Sequence, residues 1–120
     1  MYPVIALLAP GQGSQKPGML TPWLDDPAAE ETLAAWSDAI GLDLVRLGTT
    51  ADAEEIKDTA VTQPLVVASA LLAAARLTSK TAPPAGSPVA GHSVGELAAA
   101  AIAGVLTPDA AVSLAAVRGR

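Results

Sequence analysis

The sequence contains no cysteine, no phenylalanine and a single histidine, His92, among its 120 residues. The lack of cysteine excludes disulfides, thiolate metal sites and a cysteine nucleophile. One histidine cannot build a multi-histidine metal site. Because 51% of the residues are hydrophobic and only 2% are aromatic, the core must consist mainly of small aliphatic side chains. Such side chains favour close packing of helices on a sheet.

Positive charge is also scarce, since seven Lys and Arg face twelve Asp and Glu and the net charge is −5. An acidic chain with scattered basic residues disfavours nucleic-acid binding, because phosphate contacts need a basic face. The longest apolar runs, 65–75 and 97–106, are too short to span a bilayer. The apolar run 4–9 lacks a preceding Lys or Arg, so no signal peptide is indicated. We therefore expect a soluble, cytoplasmic protein without nucleic-acid or membrane partners.

Short apolar runs that alternate with helical segments predict an α/β fold with a parallel sheet. Residues 4–9 form a continuous apolar run, which is typical of a strand buried on both faces, and residues 88–91 are a shorter strand candidate. Residues 81–88 are rich in Pro, Gly and Ser and are predicted to form a loop.

Capping residues predict where the helices begin and end. The predicted helices are 27–40, with Asp26 as N-cap and Gly41 as stop; a short helix opened by a capping box at 52–55; about 65–77, after Thr62-Gln63-Pro64; about 96–103, closed by Gly104; and one capped by Thr107-Pro108-Asp109 that is still running at Arg120. Because no stop signal precedes Arg120, we expect the sequence to be cut rather than complete.

The segment Gly91-His92-Ser93-Val94-Gly95 matches the G-x-S-x-G pattern of a nucleophile elbow. The pattern requires a serine on a strained turn between a strand and a helix, with glycines on either side. The Ser93 hydroxyl would then project above the sheet at a helix N-terminus, and the Val94 N–H would point toward a developing oxyanion. The strand candidate before Ser93 and the alanine-rich helix after it favour an elbow over a chance match.

His92 adjoins the serine, but neighbouring residues on such a turn point in different directions. A general base must lie within hydrogen-bond distance of the proton that it takes. We therefore interpret His92 as a structural residue. The base must come from residues beyond Arg120 or from another group.

A second loop with glycines, Gly11-Gln12-Gly13-Ser14-Gln15-Lys16, follows the first strand candidate. A dinucleotide fingerprint would need a third glycine where Lys16 stands, and the Gly-Lys-Ser/Thr end of a phosphate-binding P-loop is absent. The loop is either a simple turn or a set of backbone donors beside the elbow. In a parallel sheet both loops would lie at the carboxyl edge, where such sheets place their sites.

Three motifs together resemble a known family: Gly11-Gln12-Gly13-Ser14-Gln15, Thr62-Gln63-Pro64 and Gly91-His92-Ser93-Val94-Gly95-Glu96. In order and spacing they are similar to malonyl-CoA:acyl carrier protein transacylases and to the acyltransferase domains of fatty acid and polyketide synthases. The resemblance covers the whole chain. It implies that residues 1–120 form the N-terminal portion of the large acyltransferase subdomain, an α/β-hydrolase-like parallel sheet with flanking helices, without the family's small ferredoxin-like subdomain.

The resemblance also implies roles for individual residues. Ser93 would be the nucleophile, and the backbone N–H groups of Gln12 and Val94 would form the oxyanion hole. Arg118 would pair with the free carboxylate of a malonyl group; without the resemblance it would be read as a solvated cation. Arg120 is a nearby competitor for that role. An apolar residue at Val94 goes with malonyl selection in related polyketide domains.

The implied reaction is transfer of malonyl from malonyl-CoA to the phosphopantetheine thiol of acyl carrier protein, in fatty acid or polyketide biosynthesis, without a cofactor or metal. Family members are much longer and carry a catalytic histidine in a later segment, so we expect the 120-residue chain alone to be inactive. Two alternatives remain open. One is an α/β-hydrolase-type esterase or thioesterase, which transfers the acyl group to water; the other is an inactive chain without a general base.

Overall fold

A computed structural model describes residues 6–80 and 88–119, and the side chains of these residues except 78–80. Within this part the fold is a two-stranded sheet with flanking helices. Strand β1 is Leu7–Ala9 and strand β2 is Val89–Gly91. The strands are parallel, and Ala9 is paired with Gly91 at their carboxyl ends. The predicted α/β class with a parallel sheet is confirmed.

Five α-helices flank the sheet in the described part of the chain, together with 3₁₀ turns at Thr21–Trp23 and Glu55–Lys57. They are α1 Pro27–Ile40, α2 Leu44–Thr49, α3 Thr59–Lys80, α4 Gly95–Ile102 and α5 Pro108–Gly119. The core lies between these helices, and its largest fully buried side chains include Leu20, Leu33, Leu44, Ile56 and Leu65.

Helices α1 and α5 begin at the residues that the sequence predicts, because their caps are local. An Asp26 carboxylate oxygen accepts a hydrogen bond from the Ala28 N–H at 2.9 Å. Gly41 follows α1 with a φ of 72°, a left-handed conformation that glycine adopts without strain. The Thr107 hydroxyl oxygen accepts from the Ala110 N–H at 3.1 Å. Helix α4 also lies where it is expected, and Gly104 follows it.

Helix α3 begins at Thr59, so the predicted start near residue 65 is wrong. Asp58 caps the helix, with its carboxylate accepting from the Ala60 N–H at 3.0 Å. The Thr62 hydroxyl donates to the carbonyl oxygen of Ile56. Pro64, which the prediction placed before the helix, lies inside it. The prediction relied on proline as a boundary, whereas the cap at Asp58 decides where the helix begins.

One further helix prediction needs correction, and one helix was not predicted. The capping box at 52–55 opens only the 3₁₀ turn Glu55–Lys57, although Asp52 accepts from the Glu55 N–H at 2.9 Å as a cap does. Helix α2 is not predicted, although the Asp43 carboxylate caps it by accepting from the Arg46 N–H at 3.1 Å. Short helices depend on tertiary packing more than on propensity, which is why the sequence separates them poorly.

The prediction that the first strand is buried on both faces is wrong for the described residues of β1. Side chains alternate between the two faces of a strand. Ala9 is buried and Leu7 is half-buried on one face, but Leu8 on the other face is 79% exposed. The helices of the described chain cover one face of β1 only. Residues 4 and 5 of the predicted strand, residues 81–87 of the predicted loop and Arg120 lie outside the described residues.

Helix α3 also corrects the prediction that no apolar segment is long enough to span a bilayer. Its 19-residue stretch Thr59–Leu77 is long and apolar enough, by length and composition alone. The same helix packs against α2, α4 and α5 and has Leu65, Val66, Val67 and Ala68 in the core. These contacts are those of the core helix of a globular domain.

Candidate active site

The two glycine loops meet at the carboxyl edge of the sheet. The His92 N–H donates a hydrogen bond to the Ala9 carbonyl oxygen at 3.1 Å. A Cβ atom on Gly11 would lie 2.4 Å from the His92 carbonyl oxygen, so only glycine allows this approach. The parallel pairing of β1 with β2 brings the loops together, since both strands end at the same edge. The predicted proximity of the two loops is confirmed.

The segment 91–95 has the geometry of a nucleophile elbow. Ser93 has a φ of 56° and is the one non-glycine residue with positive φ in the described part of the chain. A Cβ atom on Gly91 would lie 2.1 Å from the Gly95 carbonyl oxygen, and one on Gly95 would lie 2.5 Å from the Ala9 carbonyl oxygen. The turn is therefore strained at Ser93 and closely packed at both glycines, as the pattern predicts.

Two backbone donors near the serine have no acceptor among the described residues. Val94 precedes α4, and its side chain is completely buried, which fixes its backbone. Within the described residues, neither the Val94 N–H nor the Gln12 N–H donates a hydrogen bond. The Gln12 side chain donates to the Thr59 hydroxyl at 3.1 Å and so ties its loop to the first turn of α3. Unpaired N–H groups at a helix N-terminus favour a negatively charged oxygen.

Arg118 reaches the serine from the last turn of α5. Its Nη2 donates a hydrogen bond to the Ser93 Oγ at 3.0 Å. Neither of the ion pairs in the described chain includes Arg118, and its side chain is exposed. A Cβ atom on the next residue, Gly119, would lie 2.6 Å from the Thr59 carbonyl oxygen, so this end of α5 lies directly on α3. The guanidinium is thus an available cation beside the serine hydroxyl.

His92 does not contact the serine hydroxyl through any hydrogen bond that the described residues make. Its backbone holds the elbow instead: the N–H binds Ala9, and the carbonyl oxygen accepts from the Gly95 N–H at 3.0 Å. The interpretation of His92 as structural agrees with these contacts. No group of three or more His, Asp or Glu side chains in the described chain is arranged to hold a metal ion.

Two residues of this region are absent from the sequence-based site. Thr59 accepts from Gln12 and lies beneath Gly119. Gln63 is only 8% exposed, and its Oε1 has no hydrogen-bond partner in the part of the chain that the structure describes. A polar side chain in the motif Thr62-Gln63-Pro64, directly before an apolar helical segment, was the available signal for Gln63. No local pattern marks Thr59, because its contacts come from the tertiary fold.

Comparison with known proteins identifies the family of this chain. The acyl transferase domain family matches residues 7–120. The chain belongs to this family. This acyl transferase chain is 63% identical, over 118 residues, to the malonyl CoA-acyl carrier protein transacylase of Mycobacterium tuberculosis, a match that covers 97% of the chain and 39% of that relative. The chain therefore spans about 39% of the length of the curated relative that it matches.

Solved structures agree with the acyl transferase fold. A crystal structure of MCAT from Mycobacterium tuberculosis matches with a TM-score of 0.89 and 61% identity, over 98% of this chain and 39% of that one. The PlMCAT:AntF complex, a type II PKS acyl-carrier protein with its malonyl-transacylase, matches with a TM-score of 0.83 and 39% identity, over 98% of this chain and 38% of that one.

The described residues contain some, but not all, of the groups that acyl transfer through a serine requires. It presents a serine hydroxyl on a strained turn, two unpaired backbone N–H groups and a guanidinium, all at one edge of the sheet. The described residues place no general base against the Ser93 Oγ. A serine hydroxyl acts as a nucleophile only when a proton acceptor lies within hydrogen-bond reach, and the described residues supply none.

Proposed function

We propose that the full-length protein transfers a malonyl group from malonyl-CoA to the phosphopantetheine thiol of an acyl carrier protein, through a malonyl ester on Ser93. The observation that carries this proposal is the 3.0 Å hydrogen bond between Arg118 Nη2 and Ser93 Oγ. It joins the serine to a cation that has no acidic partner among the described residues. A planar guanidinium binds a carboxylate through two parallel hydrogen bonds, which suits an acyl group that ends in a carboxylate.

In the proposed mechanism, the Ser93 Oγ attacks the thioester carbonyl carbon while its proton passes to a general base outside this chain. The carbonyl oxygen becomes negatively charged and is stabilised by the N–H groups of Gln12 and Val94. The carbon–sulfur bond then breaks, coenzyme A leaves as the thiol, and Ser93 carries the malonyl ester. The phosphopantetheine thiol attacks this ester by the same route, and the serine recovers its proton. No cofactor enters these steps.

Arg118 would select the acyl group by charge. When malonyl binds, its carboxylate competes with the Ser93 Oγ for the guanidinium, and this exchange frees the serine oxygen for attack. An acetyl group offers no such partner, so the guanidinium keeps its bond to the serine and the site loses a charge-assisted interaction. The buried Val94 bears on a different choice, since in related polyketide domains an apolar residue at this position goes with malonyl and a glutamine goes with methylmalonyl.

Similar proteins support the substrate and partner in this proposal. The Mycobacterium tuberculosis relative is a malonyl CoA-acyl carrier protein transacylase, and the PlMCAT:AntF complex contains an acyl-carrier protein. We further propose that residues 1–120 form the N-terminal portion of the large subdomain and that the protein acts in the cytoplasm, in fatty acid or polyketide biosynthesis. The match to 39% of the length of the Mycobacterium tuberculosis relative supports only that these residues are a portion of a longer protein.

Labelling with radioactive malonyl-CoA tests the proposal in the full-length protein, including any residues that follow Arg120. Wild type should carry the label on the peptide that contains Ser93, and Ser93→Ala should carry none. Ser113→Ala, which removes a hydroxyl from α5, is the matched control and should be labelled as wild type is. Labelling of Ser93→Ala at the normal rate would contradict the proposal.

The esterase alternative differs in the acceptor of the acyl group. Without acyl carrier protein, a malonyl-serine transferase should keep its ester for much longer than one transfer to the carrier protein takes. An esterase or thioesterase should instead release malonate to water. Mass spectrometry of the intact protein follows this decay directly. Loss of the ester to water as fast as it is lost to carrier protein would favour the hydrolase.

A further inference from the structure

Gln63 has a buried polar atom that the described fold does not use. The residue is 8% exposed, and none of the described residues donates a hydrogen bond to its Oε1. An unpaired buried amide oxygen destabilises a fold, and native proteins leave few of them. Its neighbour in the same motif, Thr62, is fully buried but donates its hydroxyl proton to the Ile56 carbonyl. Gln63 is therefore the buried polar side chain of α3 whose oxygen the described residues leave without a hydrogen-bond donor.

The position of Gln63 on α3 relates it to the candidate active site. It lies four residues after Thr59, and residues at this spacing share one face of a helix. On that face the Thr59 hydroxyl accepts from Gln12, and the Thr59 carbonyl oxygen lies beneath Gly119. Gln12 precedes the loop's second glycine, and Gly119 follows Arg118. The face of α3 that carries Gln63 is thus the face that meets both the Gln12 loop and the end of α5.

We propose that Gln63 is a positioning residue for Arg118. When the guanidinium leaves the Ser93 Oγ and turns to an acyl carboxylate, the Gln63 Oε1 accepts one of its remaining N–H groups and fixes its plane. This inference rests on the proposed function, because it requires a carboxylate-bearing acyl group. It assigns the orphaned acceptor a partner that arrives only in the substrate complex.

The chemistry of the two groups fits this assignment. A guanidinium has five N–H donors, and a two-point contact with a carboxylate uses two of them. A neutral amide oxygen can accept a third without neutralising the cation. A carboxylate at the same position would instead pair with Arg118 and compete with the substrate. The amide therefore holds the arginine while leaving its charge for the acyl group.

Two nearly isosteric variants of the full-length protein test the proposal. Gln63→Met removes the acceptor, and kcat/KM for malonyl-CoA should fall about tenfold, while the slow transfer from acetyl-CoA changes by less than about twofold. Gln63→Glu supplies a competing carboxylate, and kcat/KM for malonyl-CoA should fall about 100-fold, whereas kcat/KM for acetyl-CoA should not fall. Tm should not fall in Gln63→Met, since an unpaired buried acceptor is lost.

A double-mutant cycle with Arg118→Ala separates positioning from structure. In the Arg118→Ala background, Gln63→Met should change kcat/KM for malonyl-CoA by less than about twofold, because the residue acts through the arginine. Equal losses with malonyl-CoA and acetyl-CoA, or a tenfold loss that persists without Arg118, would assign Gln63 a purely structural role. Normal malonyl preference in both single variants would also overturn the inference while leaving the proposed function intact. A wild-type protein that is not malonylated would contradict both.

Discussion

Polar groups are paired in one region of this chain, the helical body, and left available in another, the site edge. The helical body consists of α1, α2, α3 apart from Gln63, and α5 as far as Val117. The site edge consists of residues 11–15, residues 91–95 and Arg118. In the helical body the free N–H groups at helix starts are capped by side chains, namely those of Asp26, Asp43, Asp58 and Thr107. At the site edge, two N–H groups remain unpaired and a cation binds only a neutral hydroxyl among the described residues.

The backbone shows the same contrast. The helical body has ordinary helical conformations, whereas Ser93 adopts a left-handed φ of 56° without being a glycine. Natural sequences violate local rules mainly where function requires it. The difference indicates that the body's side chains mainly stabilise the fold, while the edge holds groups ready for a substrate. Substitutions in the body should therefore change the free energy of unfolding, and substitutions at the edge should change chemistry.

The largest effect is expected in the body, at the fully buried Leu33. Leu33→Ala should lower the free energy of unfolding by about 3 kcal/mol, because it loses buried apolar surface and leaves a cavity. Urea unfolding of the full-length protein measures this change. Leu33→Met, which preserves volume, should lose less than about 1.5 kcal/mol. Equal losses in the two variants would contradict the packing argument, and a changed malonyl preference in folded protein would break the separation of body from edge.

Arg118 should give the converse result at the edge. Arg118→Ala should reduce the preference for malonyl-CoA over acetyl-CoA about 100-fold, or about 2.7 kcal/mol, with little change in stability because the side chain is exposed. Arg118→Lys keeps the charge but loses the two-point geometry, and we expect an intermediate loss. The ratio of the two kcat/KM values is the measurement. An unchanged ratio in Arg118→Ala would remove this residue from acyl selection.

Ser93 allows the strain at the edge to be measured apart from chemistry. Ser93→Gly and Ser93→Ala both lose the hydroxyl and its bond to Arg118, so neither should accept malonyl. Only glycine adopts a positive φ without steric cost, and Ser93→Gly should be more stable than Ser93→Ala by about 1 kcal/mol. Denaturant unfolding of the two variants decides this point. Greater stability of the alanine variant would mean that the turn is not strained at this residue.

The smallest effect is expected at an ion pair on the surface of the body. Arg46 donates to both carboxylate oxygens of Glu55, at 2.9 and 2.6 Å, and this contact lowers the pKa of Glu55 below its ordinary value of 4.5. A lowered pKa means that the unfolded chain binds the proton more tightly. The pair therefore stabilises the fold above pH 4.5, and this contribution is lost as the pH falls through the lowered pKa of the folded state.

Glu55→Gln should remove that part of the acid sensitivity. Near neutral pH the variant should unfold almost as wild type does, because an exposed pair contributes little and salt screens it. On acidification below pH 4.5, wild type should lose slightly more stability than the variant. Urea midpoints at neutral and acidic pH, with malonyl transfer assayed at neutral pH, provide the comparison. An equal loss of stability on acidification in wild type and Glu55→Gln, or a changed rate of malonyl transfer in the variant, would be inconsistent with a purely structural ion pair.

The features that the sequence predicts well are those with local causes. Helix α1 follows from Asp26, Pro27 and Gly41, whose roles involve only neighbouring backbone. The elbow follows from the glycines around Ser93, because sterics at a single turn demand them. The resemblance to acyltransferases also pointed to Arg118, which no local pattern distinguishes from a surface cation.

The features that the sequence misses arise from packing between distant segments. The start of α3 was misjudged because Pro64 resembles a boundary, whereas the cap at Asp58 and the contact of Thr62 with Ile56 hold the earlier turns. Exposure of Leu8 depends on which elements cover the sheet, and the apolar run alone does not contain this information. The orphaned Gln63 oxygen is likewise visible only when its surroundings are known.

A crystal structure of the full-length protein trapped as its malonyl ester tests the central claim most directly. The account predicts that the ester carbonyl oxygen lies about 2.7–3.1 Å from the backbone nitrogens of both Gln12 and Val94, with the malonyl carboxylate on Arg118. An ester on Ser93 whose carbonyl oxygen contacts neither nitrogen and whose carboxylate lies away from Arg118 would contradict it.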